Sequence, residues 1–180
     1  MVFIEETIST KRIYEGKILN LRVDKVHVTG GRESYREIVE HNGGVTVAAI
    51  TDEGRMVMVK QFRKAAEKVL LEAPAGKIDP GENDHLLVAV RELKEETGYT
   101  AGRMTHMASF YTSVGYSTEL LHLYLAQDLI PGEPEFDDNE AIEIEEYDLD
   151  ELKRMVAGGM IEDAKTIAAI MMADQKLQSQ

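Results

Sequence analysis

The chain has 180 residues, a formal net charge of −13 and no cysteine. That length sustains one main core with a small appendage, and the negative balance argues against a nucleic-acid backbone or an anionic membrane as the main partner, because both need basic patches. Disulfides, thiolate metal sites and cysteine nucleophiles are excluded, and no apolar run approaches the roughly 20 residues that span a bilayer.

The first residues, MVFIEETIST, carry early acids and no basic-then-apolar succession, so no secretory signal is read there and a cytoplasmic protein is expected. The stretch KILNLRVDKVHVTGGRESYREIVEH predicts two strands around a turn at Gly30-Gly31. Its apolar residues change parity between Leu19, Leu21, Val23 and Val26, Val28, which predicts a bulge near Asp24-Lys25. Residues 45–51 and 55–62 flank the turn DEGR as a second hairpin, and the unbroken apolar first strand predicts burial on both faces at the centre of a sheet. Residues 84–97 place Leu86, Val90, Leu93 and Thr97 at helical spacing, with Gly98 as a stop. Strands follow at 106–113, 119–127 and 141–147, and helices near 149–157 and 163–176, the last with Asp163 as N-cap. Strands, one helix, strands, then two helices predict a mixed α/β sandwich. The five histidines, His27, His41, His85, His106 and His122, show no zinc-ligand spacing, and His41 reads as a turn or strand-end residue.

The helix at 84–97 carries the chemistry. Glu92, Glu95 and Glu96 stand at i, i+3 and i+4 on one edge while Leu86, Val90 and Leu93 pack inward, and Arg91 is spaced to offset Glu95. One cation does not neutralise three acids, and carboxylate oxygens are the preferred ligands of a hard divalent cation, magnesium fitting best. A lone ExxEE is more often a solvated helix edge. Here the Gly/Pro-punctuated loop APAGKIDPGE runs straight into the helix, a backbone able to bend around a ligand and offer carbonyls.

Gly76, Glu82, Arg91-Glu92-Leu93, Glu95-Glu96 and Gly98-Tyr99 resemble the Nudix box of hydrolases that cleave nucleoside diphosphates linked to another moiety. One departure stands out: eight residues separate Glu82 from Arg91, where the family pattern has seven. Placing the extra residue in NDH before the helix keeps Glu92, Glu95 and Glu96 in register and leaves Glu82 as the position to check. LLEAPAGKI, KQFR, FYTSVGYSTE, DDNEAIEI, GGMIEDAKTI and the N-terminal IYEGKILNLRVDKV are similar to the ADP-ribose pyrophosphatase branch, with Ser113-Val114-Gly115 where that branch has Ser-Pro-Gly.

The resemblance implies a Nudix-type α/β/α sandwich with a mixed sheet over 43–180, preceded at 1–42 by an N-terminal antiparallel β hairpin that serves dimerisation. It implies magnesium, with manganese as a substitute, held by Glu92, Glu96 and the Ala75 carbonyl, with Glu95 supporting a second ion. Glu140, Glu95 and Arg91 are the implied catalytic groups, Glu140 as base or water-positioning carboxylate. Arg63, Lys77 and Gly115 are implied at the substrate, and Glu72 either there or, with the larger share, in pairing within the fold. Tyr111 and Tyr116 are expected in the core rather than on a base. The implied reaction is hydrolysis of ADP-ribose to AMP and ribose 5-phosphate by a homodimer that exchanges N-terminal strands, with no nucleic-acid or membrane partner. The same chemistry on another nucleoside diphosphate sugar, FAD or a dinucleotide is the near rival, and a non-catalytic nucleotide sensor or a structural protein the distant ones.

Overall fold

A computed structural model describes residues 2–136 and 141–179. The chain packs as two compact units, Met1–Gly43 with Tyr111–Leu120, and Gly44–Phe110 with Leu121–Gln180.

In the first unit, β1 (Glu6–Glu15), β2 (Leu19–Val28) and β3 (Arg32–His41) form an antiparallel sheet in that order, so the expected hairpin is a three-stranded sheet. Gly30 and Gly31 take φ of 84° and 71° at the β2–β3 turn, a conformation that glycine adopts without a Cβ penalty. The expected bulge in β2 is absent. Pairing with β3 runs unbroken from Leu19↔His41 to Val28↔Arg32, and the irregularities lie in β1, between Thr7 and Ser9 and between Arg12 and Tyr14. Polar pairing removes the need for a parity switch: the enclosed side of β2 takes Asp24 beside Val26. Arg22 lies 3.3 Å from Asp24 and 2.7 Å from Glu40. The 111–120 segment runs along β3, where the Val39 N–H donates to the Tyr116 carbonyl and the Thr118 N–H to the Val39 carbonyl. Tyr111 and Tyr116 are exposed and do not join a core.

The second unit is built on a seven-stranded mixed sheet of β4 (Gly44–Ile50), β5 (Arg55–Arg63), β6 (Lys68–Glu72), β7 (Ala75–Lys77), β8 (Thr100–Tyr111), β9 (Leu120–Ile130) and β10 (Ile142–Asp148). Its order is β10-β5-β4-β9-β8, with β6 paired to β5 and β7 to β4. Every residue of β4 is buried. Val45, Val47 and Ala49 join Val88, Ala89 and Leu93 of α1 (His85–Thr97), while Ala48 and Ile50 join Leu152 of α2 (Leu149–Ala157) and Ala169, Ile170 and Ala173 of α3 (Ala164–Leu177). Helices on both faces explain the unbroken apolar strand and make this an α/β/α sandwich.

The inward stripe of α1 is rotated from the expected one. Val88, Ala89, Leu93, Glu96 and Thr97 are buried, so the buried face centres nearer Ala89 than Val90, and Leu86, in the first turn, stays exposed. The Asp84 side chain accepts from the N–H groups of Leu86 and Leu87, and Gly98 ends the helix at φ 76° with its N–H on the Lys94 carbonyl. Among the described residues no helix is long and apolar enough to cross a membrane.

Candidate active site

The 72–76 segment crosses from β6 to β7 and meets the acidic edge of α1. Ala75 N–H donates to Glu96 Oε2 at 2.9 Å, and Glu96 is 6% exposed. A Cβ at Gly76 would lie 1.9 Å from Cδ of Glu92, so the carboxylate of Glu92 occupies the space that a side chain would fill. The Pro74 carbonyl accepts from Val47 N–H at 2.9 Å and from Thr46 Oγ1 at 3.2 Å, which ties the segment to β4.

Arg91 stands among the acids. Its Nη1 is 2.9 Å from Glu92 Oε1 and 2.9 Å from Glu95 Oε2, and its Nη2 is 3.5 Å from Glu82 Oε1. Burial lowers the pKa of Arg91, but the charge of Glu92, the hydrogen bond to Glu95 and the charges of Glu95 and Glu82 outweigh it, and the net shift is upward. Glu82 Oε2 also accepts from Asp79 N–H at 2.8 Å. The extra residue before the helix therefore does not displace Glu82 from Arg91.

Glu72, 1% exposed, is a buried anion shared by two cations. Arg63 holds it with both prongs, Nε to Oε1 at 2.7 Å and Nη2 to Oε2 at 2.8 Å, and Lys165 Nζ donates to Oε2 as well. Burial pushes the Glu72 pKa up, but the Arg63 hydrogen bonds and the nearby charge of Lys165 overcome that and leave it lowered. The hydrogen bond to Glu72 raises Arg63 against the effect of burial, and the charges of Glu72, Glu96 and Asp163 add to it. Arg63 thus lies in the field of Glu96. Glu72 is therefore paired within the fold by Arg63 and Lys165.

The remaining candidates are spread. Lys77 is largely exposed, with Asp79 4.0 Å away. Gly115 belongs to the turn where Tyr116 N–H and Ser117 N–H donate to the Ser113 carbonyl in the first unit, next to the exposed Val114. Glu140 lies outside the described residues. His41 ends β3, its Nδ1 accepting from Gly43 N–H.

Two groupings escaped the sequence. Lys165 and Thr166, braced by Asp163, come from far along the chain to Glu72 and Ala73; Asp163 at a helix start and the GGMIEDAKTI likeness marked the stretch, but not its meeting with 72–73. Three histidines that look scattered also meet: His85 stacks on His122 at 3.9 Å, and Ser109 Oγ bridges His106 and His122. Burial, then the charges of His85 and His106, lower the His122 pKa.

Among the described residues no three His, Asp or Glu side chains already converge to enclose a metal ion. The donor set nevertheless suits a hard cation, since Glu92, Glu95 and Glu96 offer only carboxylate oxygens, beside a backbone kept bare of a side chain at Gly76. An acidic helix edge thus lies against the 72–76 strap of an α/β/α sandwich, with Arg91 among its carboxylates and Arg63 in the field of Glu96.

The chain belongs to the NUDIX domain family, whose model matches residues 40–170, and it is a Nudix pyrophosphohydrolase. It is 43% identical over 180 residues to an ADP-ribose pyrophosphatase of Bacillus subtilis (strain 168), covering 98% of this chain and 97% of that one. It is also 43% identical over 171 residues to a methanol dehydrogenase activator of Bacillus methanolicus, covering 94% and 92%. Among solved structures, an ADP compounds hydrolase superposes with a TM-score of 0.86 over 100% of this chain and 97% of that one; at 20% identity this likeness speaks for the fold.

Proposed function

We propose that this chain hydrolyses the pyrophosphate of ADP-ribose to AMP and ribose 5-phosphate with the help of magnesium, for which manganese can substitute. The observation that carries the reading is the seating of Glu92 and Glu96 against Gly76 and Ala75 N–H, in a NUDIX chain similar over nearly its full length to an ADP-ribose pyrophosphatase. Nudix hydrolases generally use divalent metal ions. Glu92, Glu96 and the Ala75 carbonyl would hold magnesium here, with Glu95 supporting a second ion. When bound it supplies charge neutralisation for the diphosphate and a lowered pKa for water.

The protein's own groups do the rest. Arg91 spans Glu82, Glu92 and Glu95 and sets the orientation of the acidic edge. Arg63 presents to a phosphate the part of its guanidinium that Glu72 leaves uncovered, and Lys77 is free to swing toward the same charge. The Gly115 turn contributes to substrate recognition. Glu140 takes the proton of the attacking water, or positions that water, for in-line displacement at one phosphorus, with the other phosphate leaving. The support for Glu140 is that the chain before it is tied to α1, Glu135 N–H donating to the Glu95 carbonyl, and the chain after it enters β10 at Ile142, opposite Gln61.

A homodimer through the N-terminal strands is part of this reading. Every residue of β1 is exposed, Ile8, Ile13 and Tyr14 among them, and a second copy would cover that apolar surface. A cytoplasmic setting is supported by a chain without cysteine, which gains nothing from an oxidising compartment. Hydrolysis of another nucleoside diphosphate derivative is the second reading, favoured by the exposed Val114 where its branch has proline.

The test is product analysis for ADP-ribose, ADP-glucose, GDP-mannose, FAD and diadenosine polyphosphates, with and without magnesium. Magnesium-dependent release of AMP chiefly from ADP-ribose is expected; silence across the panel refutes the reading. Glu96→Gln keeps an acceptor for Ala75 N–H while removing the charge, so it should fold normally and lose more than about 10²-fold in kcat.

A further inference from the structure

We propose that the first turn of α3 is a positioning element of the hydrolytic site, in which Thr166 fixes the metal-side strap through Ala73, and Lys165 orients Arg63 through Glu72. This rests on the pyrophosphatase reading of the site.

The strap is held along its length by β4, β5, α1 and α3 of the second unit. Glu72 is held by Arg63 and Lys165, the Ala73 N–H by Thr166 Oγ1 at 2.8 Å, Pro74 by β4, Ala75 by Glu96, and Gly76 stands under Glu92. The grips from α3 fall on two consecutive residues, and Pro74 has no N–H, so Ala73 presents the last backbone donor before the one that meets Glu96.

Thr166 is fully buried, and its hydroxyl accepts from Ala73 while donating to Asp163 Oδ2. Valine fills the same volume but leaves the buried Ala73 N–H without its acceptor, which the strap can relieve only by moving. Serine keeps the oxygen. The movement is transmitted over two residues to Ala75, whose N–H bonds Glu96 and whose carbonyl is the proposed third oxygen ligand.

Lys165 works on the other side of Glu72. Oε2 is shared between Arg63 Nη2, at 2.8 Å, and Lys165 Nζ, which Asp163 Oδ2 steadies at 2.8 Å. Without the ammonium the whole carboxylate charge falls to Arg63, which is drawn more fully onto Glu72 and away from a substrate phosphate. The two residues therefore have different kinetic signatures: Thr166 acts on cation affinity and kcat, Lys165 on KM for the anionic substrate. A purely structural role for this turn would lower thermal stability without that division.

The experiment uses the full chain. Manganese binding is measured by calorimetry for wild type, Thr166→Val and Thr166→Ser, and ADP-ribose kinetics for wild type, Lys165→Met and Lys165→Arg. Thr166→Val should bind manganese about 10- to 100-fold more weakly, with Thr166→Ser within about threefold of wild type. Lys165→Met should raise KM about tenfold with kcat within about threefold, and Lys165→Arg should recover part of the loss. A Thr166→Val protein that melts cooperatively and binds manganese like wild type overturns the inference. Should Thr166→Val not fold, an unchanged KM in Lys165→Met overturns it. A wild-type chain that binds manganese yet hydrolyses no member of the substrate panel refutes the pyrophosphatase reading instead, a result distinct from either.

Discussion

Gly76→Ala is the sharpest perturbation of the acidic edge. The new Cβ would stand 1.9 Å from Cδ of Glu92 and 2.1 and 2.2 Å from its two oxygens, whereas ordinary contact begins at 3.4 Å, so the carboxyl group must retreat by about 1.5 Å. Gly76 does not have a positive φ, so the backbone accepts alanine without strain, and what must move is the end of a flexible side chain. Stability should change by less than about 1 kcal/mol. Activity should not be spared. A misplacement near 1 Å costs on the order of 10²-fold where geometry governs rate, so kcat/KM for ADP-ribose should fall at least about 10²-fold. Calorimetric melting run beside a magnesium-dependent AMP-release assay separates the two effects. Near-wild-type turnover in Gly76→Ala would refute the assignment of Glu92, in this position, to the cation site.

Three further outcomes follow from the packing. Glu72→Gln should destabilise the protein by about 2–3 kcal/mol, below the full cost of breaking a buried ion pair because Arg63 is partly exposed. The folded-state pKa of Glu72 lies below its unfolded value, so its contribution is complete above the unfolded value near 4.3 and is lost as pH falls through the folded one; urea melts of Glu72→Gln should show a weaker acid dependence in that range. Asp84→Ala removes the acceptor for Leu86 and Leu87 N–H and should cost about 1 kcal/mol in equilibrium unfolding, with activity near wild type at 25 °C. Gly98→Ala combines a φ of 76° with a Cβ 2.3 Å from the Gly132 carbonyl oxygen, a backbone atom that cannot swing aside, and should cost at least about 2 kcal/mol in the same measurement.

The features legible along the chain are local ones. Asp84 and Gly98 bound α1, and the spacing of Glu92, Glu95 and Glu96 is set by helical geometry, which depends on nothing beyond a few residues. The unbroken apolar run of β4 likewise required cover on both faces wherever the covering helices came from. The rotation of α1 was not legible, because which of several apolar residues turns inward depends on the partner surface, and here Val88 and Ala89 turn inward while Val90 is only half-buried. Nor was the unbroken register of β2 legible, since parity alone does not show that Asp24 takes the enclosed side beside Val26, with Arg22 3.3 Å away.

Tertiary structure alone decided which charges meet. Glu82 stays within 3.5 Å of Arg91 despite the extra residue, its carboxylate also held by Asp79 N–H. Lys165 reaches Glu72 across 93 positions, and His85, His106 and His122 gather from a helix and two strands. Contacts within one element follow from backbone periodicity, whereas contacts between elements follow from how whole layers pack, and no spacing along the chain encodes that.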